Sequence, residues 1–216
     1  MNITSLRHKL TGWLNPVVWF FVKTGFTPNQ ITLLSLFFGI GAAVCFFCQA
    51  FLVGSILLGI SGVLDLTDGS VARITKKKTD FGAISDWIVD KYVDGIVLLA
   101  IGLSGIPIIS QFTTGLTPTA DMLVAGLAVI GSIMNTFIKP VTYAEIGYTC
   151  KEDGKISDPL EGVGFFGRPE TMISVVFFGI IGQIWIAVIL VAVCTNLSAL
   201  QRIIYLWKKH GEYKKD

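Results

Sequence analysis

Two long stretches of this chain contain no charged side chain at all. Residues 31–64 and 171–201 carry no Asp, Glu, Lys or Arg, and about 20 apolar residues are enough for a helix to cross a bilayer. Each stretch can hold a helical hairpin, with a break near Gln49 in the first and at Gly182 and Gln183 in the second. Adding the remaining apolar segments, the pattern predicts six transmembrane helices over residues 30–49, 51–74, 81–106, 121–144, 169–183 and 184–207.

Composition supports the same class of protein. The chain has 216 residues, of which 52% are hydrophobic and only 15% charged, and its mean hydropathy is +0.68. A water-soluble domain of this composition would expose far too much apolar surface. We therefore expect an all-α integral membrane protein.

The basic residues indicate how the chain is oriented in the membrane. They lie before the first predicted helix, between the second and third, between the fourth and fifth, and after the sixth, with Lys91 as the exception. The connections after the first, third and fifth predicted helices contain no Lys or Arg. The positive-inside rule then predicts a multi-pass protein of the cell membrane with both termini in the cytoplasm.

The N-terminal segment has some features of a signal peptide, because Arg7 and Lys9 precede an apolar run over residues 13–22. Asn15 and Pro16 interrupt that run, however, and no small-residue cleavage pattern follows it. An amphipathic helix that lies in the membrane interface is the favoured interpretation. The predicted organisation is an interfacial segment over residues 1–24 and a six-helix membrane domain over residues 25–216.

Four aspartates interrupt this apolar sequence at helical spacing. Asp65 and Asp68 are three residues apart and Asp86 and Asp90 four apart, so each pair projects from one face of its helix. Carboxylates are ligands suited to Mg²⁺ or Mn²⁺, and four of them in one place would repel one another without cations between them. The alternative is that they are ordinary acids at helix ends, with Asp80 capping the third predicted helix and Asp94 adding a third acid to the same face of it.

The aspartates belong to a longer pattern, which runs Asp65-x2-Asp68-Gly69-x2-Ala72-Arg73-x8-Gly82-x3-Asp86-x3-Asp90. This pattern resembles the signature of the CDP-alcohol phosphatidyltransferase family. The family core is likewise a six-helix membrane domain, so the resemblance covers most of the chain. It implies transfer of a phosphatidyl- or archaetidyl-type group from a CDP-alcohol to an acceptor hydroxyl, with release of CMP, in phospholipid biosynthesis.

The resemblance also implies roles for single residues. Asp65 would bridge two Mg²⁺ ions, with Mn²⁺ as a substitute, Asp68 and Asp86 would complete their coordination, and Asp90 would be both a metal ligand and the general base. The residues expected to contact the CDP donor are Asn29, Gln30, Ile31, Thr32, Gly69, Arg73 and Thr79. Arg73 has a second interpretation, as a cytoplasmic arginine that only sets topology.

The loop before the fifth predicted helix bears on the acceptor. Its sequence Gly167-Arg168-Pro169-Glu170 resembles the Arg-Pro-Glu of family members that use inositol phosphate. Lys139, Arg168 and Arg202 are therefore candidates for an acceptor-phosphate pocket, although Arg168 is equally interpretable as an anchor of its helix. Glycerol phosphate, serine or another polyol stay open as acceptors.

Other partners follow from the same resemblance. The donor is expected to be a CDP-linked lipid, built on diacylglycerol or archaeol, with a water-soluble CDP-alcohol as the alternative. Similar enzymes are dimers, so a homodimer surrounded by membrane lipids is expected, and no nucleic-acid partner is. The two histidines and four cysteines form no visible zinc or redox motif.

A rival function class is a membrane transporter for divalent cations or protons, since acids inside a membrane also serve transport. Such a route predicts acids distributed through the depth of the bilayer, whereas the motif aspartates lie near one side. The sequence also shows no clear inverted repeat.

Overall fold

The structure is a computed structural model, and it describes residues 14–113, 115, 117–147, 151–152, 155–156, 160 and 162–211. Within these residues the chain forms seven α-helices, one 3₁₀ turn at Ser110–Phe112 and two short strands. The helices are α1 (Asn15–Thr24), α2 (Pro28–Phe47), α3 (Phe51–Ile74), α4 (Asp80–Leu103), α5 (Pro118–Glu145), α6 (Arg168–Ile180) and α7 (Ile184–His210). The strands β1 (Lys151–Glu152) and β2 (Lys155–Ile156) pair antiparallel between α5 and α6.

Four of the helices, α2, α3, α5 and α7, are long and apolar enough to cross a membrane. The chain is thus a multi-pass membrane protein, but the prediction of six spans is confirmed only in these four. α4 differs because four aspartates and a lysine lie between Asp80 and Asp94, and α6 differs because it has only 13 residues. The predicted helix positions agree with the observed ones to within about three residues, the usual uncertainty of helix ends.

Successive helices from α2 to α7 alternate in direction, so α2, α4 and α6 begin at the end of the bundle where α3, α5 and α7 finish. We call this the acidic end, because Asp65 and Asp68 lie late in α3 whereas Asp86 and Asp90 lie early in α4. The opposite end contains the α2–α3 turn, the α6–α7 turn and the segment between α4 and α5.

Three helices begin at the acidic end with a side-chain cap. Thr27 and Gln30 form a capping box at the start of α2, since the Thr27 N–H donates to Gln30 Oε1 at 2.9 Å and the Gln30 N–H to Thr27 Oγ1 at 3.4 Å. The Gly82 N–H donates to Thr79 Oγ1 at 3.0 Å at the start of α4. The Gly167 N–H donates to Glu170 Oε2 at 2.9 Å at the start of α6. These caps satisfy backbone N–H groups and fix where each helix starts.

The hydrophobic core draws residues from every helix between α2 and α7, and close packing within it depends on small residues. Gly39 of α2 faces Val93 of α4 so closely that a Cβ would lie 2.6 Å from Val93 Cγ2. The buried side chains Val97, Leu98 and Ile101 continue that face of α4. Packing along the length of α4 therefore holds its acidic first half against α2 and α5.

α1 lies within the segment predicted to be interfacial, of which residues 1–13 lie outside the described residues. Val18 and Phe21 are buried against Ile31 of α2 and its neighbours, whereas Trp19 and Phe20 are exposed. A helix with one buried apolar face and exposed aromatic side chains is typical of a membrane interface. It packs over the start of α2, at the acidic end.

Candidate functional site

The two acidic faces predicted from the sequence converge in the structure. Carboxylate oxygens of Asp65, Asp68 and Asp86 all lie within 4.8 Å of one another. The helical spacing brings each pair to one face of α3 or α4, and the packing of both helices on α2 brings the two faces together. Asp68 is the most enclosed of the three, with 4% of its surface exposed.

Asp68 has a specific partner at the start of α2. The Thr32 hydroxyl donates to Asp68 Oδ2 at 2.5 Å, and the same hydroxyl lies 3.1 Å from the Pro28 carbonyl oxygen. A short hydrogen bond to a buried carboxylate fixes the orientation of its second oxygen. One residue of the predicted nucleotide segment is thus attached directly to the acids.

Arg168, the first residue of α6, lies among the aspartates. Its Nη1 donates to Asp65 Oδ2 at 2.6 Å, and its Nη2 lies 2.7 Å from Asp90 Oδ1. The second contact is an ion pair without the alignment of a hydrogen bond, so the buried Asp90 Oδ1 accepts none. The guanidinium group therefore supplies positive charge between two motif aspartates that come from different helices.

A second layer of charges, not assigned by the sequence analysis, lies behind this pair. Asp94 Oδ2 accepts from Lys91 Nζ at 2.7 Å and from Ser132 Oγ at 3.1 Å, and Asp94 Oδ1 lies 3.6 Å from Arg168 Nε. The signal available in the sequence was spacing, because Asp94 follows Asp90 by four residues and so shares its helix face. The contact of Asp94 with Ser132 could not be predicted from spacing, because it depends on the packing of α4 on α5.

Several of the residues expected to contact the donor surround the acids without joining them. Ile31 is fully buried beneath α1, and Arg73 Nη2 donates to Ser70 Oγ at 3.2 Å on the surface of α3. At Gly69, next to Asp68, an added Cβ would meet nothing within 4 Å, so space is open beside the acids.

The start of α4 contacts the predicted nucleotide segment closely. A Cβ added at Gly82 would lie 3.0 Å from Thr79 Oγ1 and 3.3 Å from Asn29 Oδ1. The motif glycine at this position therefore allows α4 to begin against the first turn of α2. Gln30 is engaged in the cap of α2.

The three candidates for the acceptor pocket lie in different settings. Lys139 is half-buried late in α5, whereas Arg168 contacts Asp65 and Asp90. Arg202, with 4% of its surface exposed, donates from Nε to the Val163 carbonyl at 2.8 Å and from Nη1 to the Asn135 carbonyl. Since Asn135 Nδ2 donates to the Phe166 carbonyl at 2.7 Å, these contacts hold the loop that leads into Arg168.

The donor set fits a divalent cation that prefers oxygen ligands. Three carboxylate oxygens lie within 4.8 Å of one another, and a fourth carboxylate, Asp90, has a buried oxygen without a hydrogen bond. Groups of this kind are costly to bury unless a cation compensates them. The cluster can therefore hold a metal ion, with Asp65, Asp68, Asp86 and Asp90 as the available ligands.

Comparison with solved structures shows the same fold. The phosphatidylinositol phosphate synthase of Mycobacterium tuberculosis, solved with CDP-DAG bound, matches 94% of this chain and 98% of its own with a TM-score of 0.72 at 20% identity. The same protein has been solved in complex with manganese and citrate.

Curated relatives are similar in sequence. The archaetidylinositol phosphate synthase of Pyrococcus horikoshii is 26% identical over 97% of this chain and 98% of its own length. The bifunctional IPC transferase and DIPP synthase of Aquifex aeolicus is 31% identical over 96% of this chain. The chain spans 44% of the length of that Aquifex protein.

The family model covers nearly the whole membrane domain. The model described as CDP-alcohol phosphatidyltransferase matches residues 26–212, which contain all four motif aspartates and every helix from α2 to α7. This confirms the resemblance found in the motif, and the chain belongs to the CDP-alcohol phosphatidyltransferase family.

Proposed function

We propose that this protein transfers a phosphatidyl- or archaetidyl-type group from a CDP-linked lipid to the hydroxyl of a polar acceptor, with release of CMP. The observation that carries the proposal is the convergence of Asp65, Asp68 and Asp86 within 4.8 Å, next to Asp90. A chain of this family with every motif position present has the groups that the reaction needs. Membership also makes a transporter the less favoured function.

Asp65, Asp68, Asp86 and Asp90 would hold two Mg²⁺ ions, for which Mn²⁺ can substitute. When bound, the ions neutralise the charge of the pyrophosphate and of the departing CMP, which is the main requirement of phosphoryl transfer. The protein's own contribution is to hold the four carboxylates in place, with Thr32 orienting Asp68. The solved relative with manganese supports a divalent-metal site of this kind.

Asp90 takes the proton of the acceptor hydroxyl in this proposal. Its Oδ1 is buried and accepts no hydrogen bond, so this carboxylate is not fully compensated by donors of the chain. Arg168 lies 2.7 Å from the same oxygen, which keeps a positive charge beside the base. A general base must be within hydrogen-bond reach of the proton that it removes, and in this proposal both substrates meet at Asp90.

The donor's nucleotide would bind at the acidic end, against the first turn of α2 and the start of the motif. Open space at Gly69 allows close approach of a pyrophosphate, and the exposed Arg73 can make forked contacts with phosphate oxygens. Asn29, Gln30, Ile31, Thr32 and Thr79 complete the proposed donor site. Because the solved Mycobacterium protein holds CDP-DAG, CDP-diacylglycerol and CDP-archaeol are the first donors to test.

Inositol phosphate is the proposed acceptor, with glycerol phosphate next. Relatives named archaetidylinositol phosphate synthase and phosphatidylinositol phosphate synthase support it, and Arg168 supplies a cation beside Asp90. Lys139 and Arg202 stay candidates for the same pocket. Either residue would bind a phosphate on the acceptor together with Arg168.

The location follows from charge. We place the acidic end, both termini and the active site on the cytoplasmic side, with α4 and α6 completing six spans of the membrane domain over residues 25–216. The segment 1–24 lies in the interface, and two copies form a homodimer.

The test is CMP release by purified protein with Mg²⁺. CDP-diacylglycerol and CDP-archaeol are each offered with inositol phosphate, glycerol phosphate, serine and inositol. We expect release with inositol phosphate. Release with another acceptor would correct the substrate, and binding of no CDP-lipid, together with Mg²⁺ flux into vesicles, would contradict the transferase.

A further inference from the structure

Arg168 contacts three carboxylates, of which two belong to the aspartate motif and one does not. Its Nη1 and Nη2 lie 2.6 Å from Asp65 Oδ2 and 2.7 Å from Asp90 Oδ1, while its Nε lies 3.6 Å from Asp94 Oδ1. Asp65 and Asp90 belong to the aspartate motif, and Asp94 does not. The arginine is therefore shared between the proposed metal ligands and an acid outside that set.

A guanidinium group and a divalent cation need the same oxygen lone pairs. Only 16% of the Arg168 side chain is exposed, and 12% and 17% of those of Asp65 and Asp90, so water screens these contacts little. A metal ion on Asp65 and Asp90 both removes the negative charge that holds Arg168 and repels its positive charge. The two cations therefore compete for the negative charge of these two carboxylates.

Asp94 is already held as the other partner of Arg168. Its side chain is 3% exposed, and one oxygen, Oδ2, is used by Lys91 Nζ and Ser132 Oγ at 2.7 and 3.1 Å. The remaining oxygen, Oδ1, is the one that faces Arg168 Nε.

The hydrogen bond between these two atoms is not formed in the structure. Arg168 Nε is buried and has no hydrogen-bond partner, 3.6 Å from Asp94 Oδ1. An ordinary N–H···O bond is about 2.9 Å long, so a side-chain shift of roughly 0.7 Å would complete it. A buried donor without a partner is unfavourable, which gives Arg168 a reason to move toward Asp94 once its other partners are neutralised.

Hydrogen bonds fix the backbone of the loop that leads into Arg168, so a change of partner has to come from the side chain. Arg202 donates to the Val163 carbonyl and Asn135 to the Phe166 carbonyl, at 2.8 and 2.7 Å. These contacts hold the loop that precedes α6 against α5 and α7. Arg168 can therefore exchange partners only by rotating its side chain within reach of Asp94.

We propose that Arg168 competes with a divalent metal ion for Asp65 and Asp90, and that Asp94 is the positioning residue that keeps Arg168 at the site when the metal binds. The inference rests on the proposed metal site. Arg168 would then remain beside the base as a cation, without occupying the metal ligands.

The test measures Mn²⁺ affinity of the purified full chain by titration calorimetry, in the wild type, Arg168→Gln, Asp94→Asn and the double variant. We expect Arg168→Gln to tighten Mn²⁺ binding roughly tenfold, since the competing cation is gone. Asp94→Asn should weaken it severalfold, because Arg168 then has no other partner than Asp65 and Asp90. In the double variant this weakening should disappear, and binding should match that of Arg168→Gln.

A matched control is Asp80→Asn, which removes the same charge from the first turn of α4. It should change Mn²⁺ affinity by the same factor whether it is made in the wild type or in the Arg168→Gln variant. Arg168→Lys keeps the positive charge but loses the planar guanidinium group that contacts two carboxylates at once. The Mn²⁺ affinity of this variant should lie between those of the wild type and Arg168→Gln. Thermal unfolding of each variant shows whether it is folded.

Two results would overturn the inference: unchanged or weaker Mn²⁺ binding in Arg168→Gln, or an equal loss from Asp94→Asn with and without Arg168. The outcome for the proposed function is separate. If the wild type binds no Mn²⁺ and releases no CMP, the metal site itself is wrong, whereas normal Mn²⁺ binding and CMP release without coupling would refute only the role of Arg168 and Asp94.

Discussion

The two ends of the bundle differ in how many hydrogen-bond donors surround a buried carboxylate. At the opposite end, Asp121 accepts from the N–H groups of Ile108, Ile109 and Ser110 at 3.0, 2.7 and 3.0 Å and from the Ser110 hydroxyl at 2.6 Å. At the acidic end, the oxygens of three aspartates lie within 4.8 Å of one another, and a buried oxygen of Asp90 accepts no hydrogen bond.

The difference separates structural acids from functional ones. Asp121 is compensated entirely by donors of its own chain, so it needs no external ion and fixes the segment between α4 and α5. The motif aspartates face one another, and the side chains that compensate them in the contacts described above are Thr32 and Arg168. Burial alone does not identify a site; burial without sufficient internal donors does.

The largest expected effect is loss of turnover at Asp90. Asp90→Asn keeps the size of the side chain but removes its ability to accept a proton, so CMP release should fall by about a thousandfold or more. The unfolding temperature should stay near that of the wild type. CMP release and thermal unfolding measure the two effects, and turnover near normal would remove Asp90 as the base.

The counterpart at the opposite end should show the reverse behaviour. Asp121→Ala leaves the three N–H groups of residues 108–110 without their acceptor, which should lower the free energy of unfolding by about 2–4 kcal/mol. Turnover per folded molecule should change little, because the residue lies far from the motif along α4 and α5. A large loss of CMP release from folded Asp121→Ala protein would contradict the division between the two ends.

How much of this contrast could be predicted from the sequence depends on how local its cause is. The helices and the four motif aspartates follow from hydrophobic pattern and spacing, since both are properties of single segments. The role of Asp121 could not be predicted from the sequence, because its donors come from a loop whose path is set by tertiary packing. The Lys91–Asp94–Ser132 contacts were missed for the same reason, as they join α4 to α5.

The placement of cations was equally hard to predict from spacing. Arg168 lies 103 residues after Asp65 in the chain, and only the packing of α6 against α3 brings them together. Length and apolar composition identify four spans, whereas α4 carries its charges where a span would be apolar and α6 is short. These are long-range features, whereas pattern and motif describe single helices.

A smaller effect is expected when the cation between the acids is removed. Arg168→Ala should raise the acceptor KM by roughly tenfold, if the arginine binds a phosphate on the acceptor. The donor KM should change much less, because the proposed donor site lies at α2 and the start of the motif. Steady-state CMP release with each substrate varied in turn measures both constants. An unchanged acceptor KM would assign Arg168 a purely structural role.

The smallest expected effect concerns the hydroxyl that Thr32 places beside Asp68. Thr32→Val removes the hydroxyl that donates to Asp68 Oδ2 at 2.5 Å and keeps the shape of the side chain. Asp68 then loses its orientation but keeps its charge, so Mn²⁺ affinity should fall by about three- to tenfold. Thr67→Val is a matched control, because that hydroxyl donates to the Val63 carbonyl within α3 at 2.7 Å and has no contact with Asp68 among those found. Equal losses in the two variants would mean that each hydroxyl matters only for packing. The hydrogen bond from Thr32 would then not be what orients the Asp68 carboxylate for the metal ion.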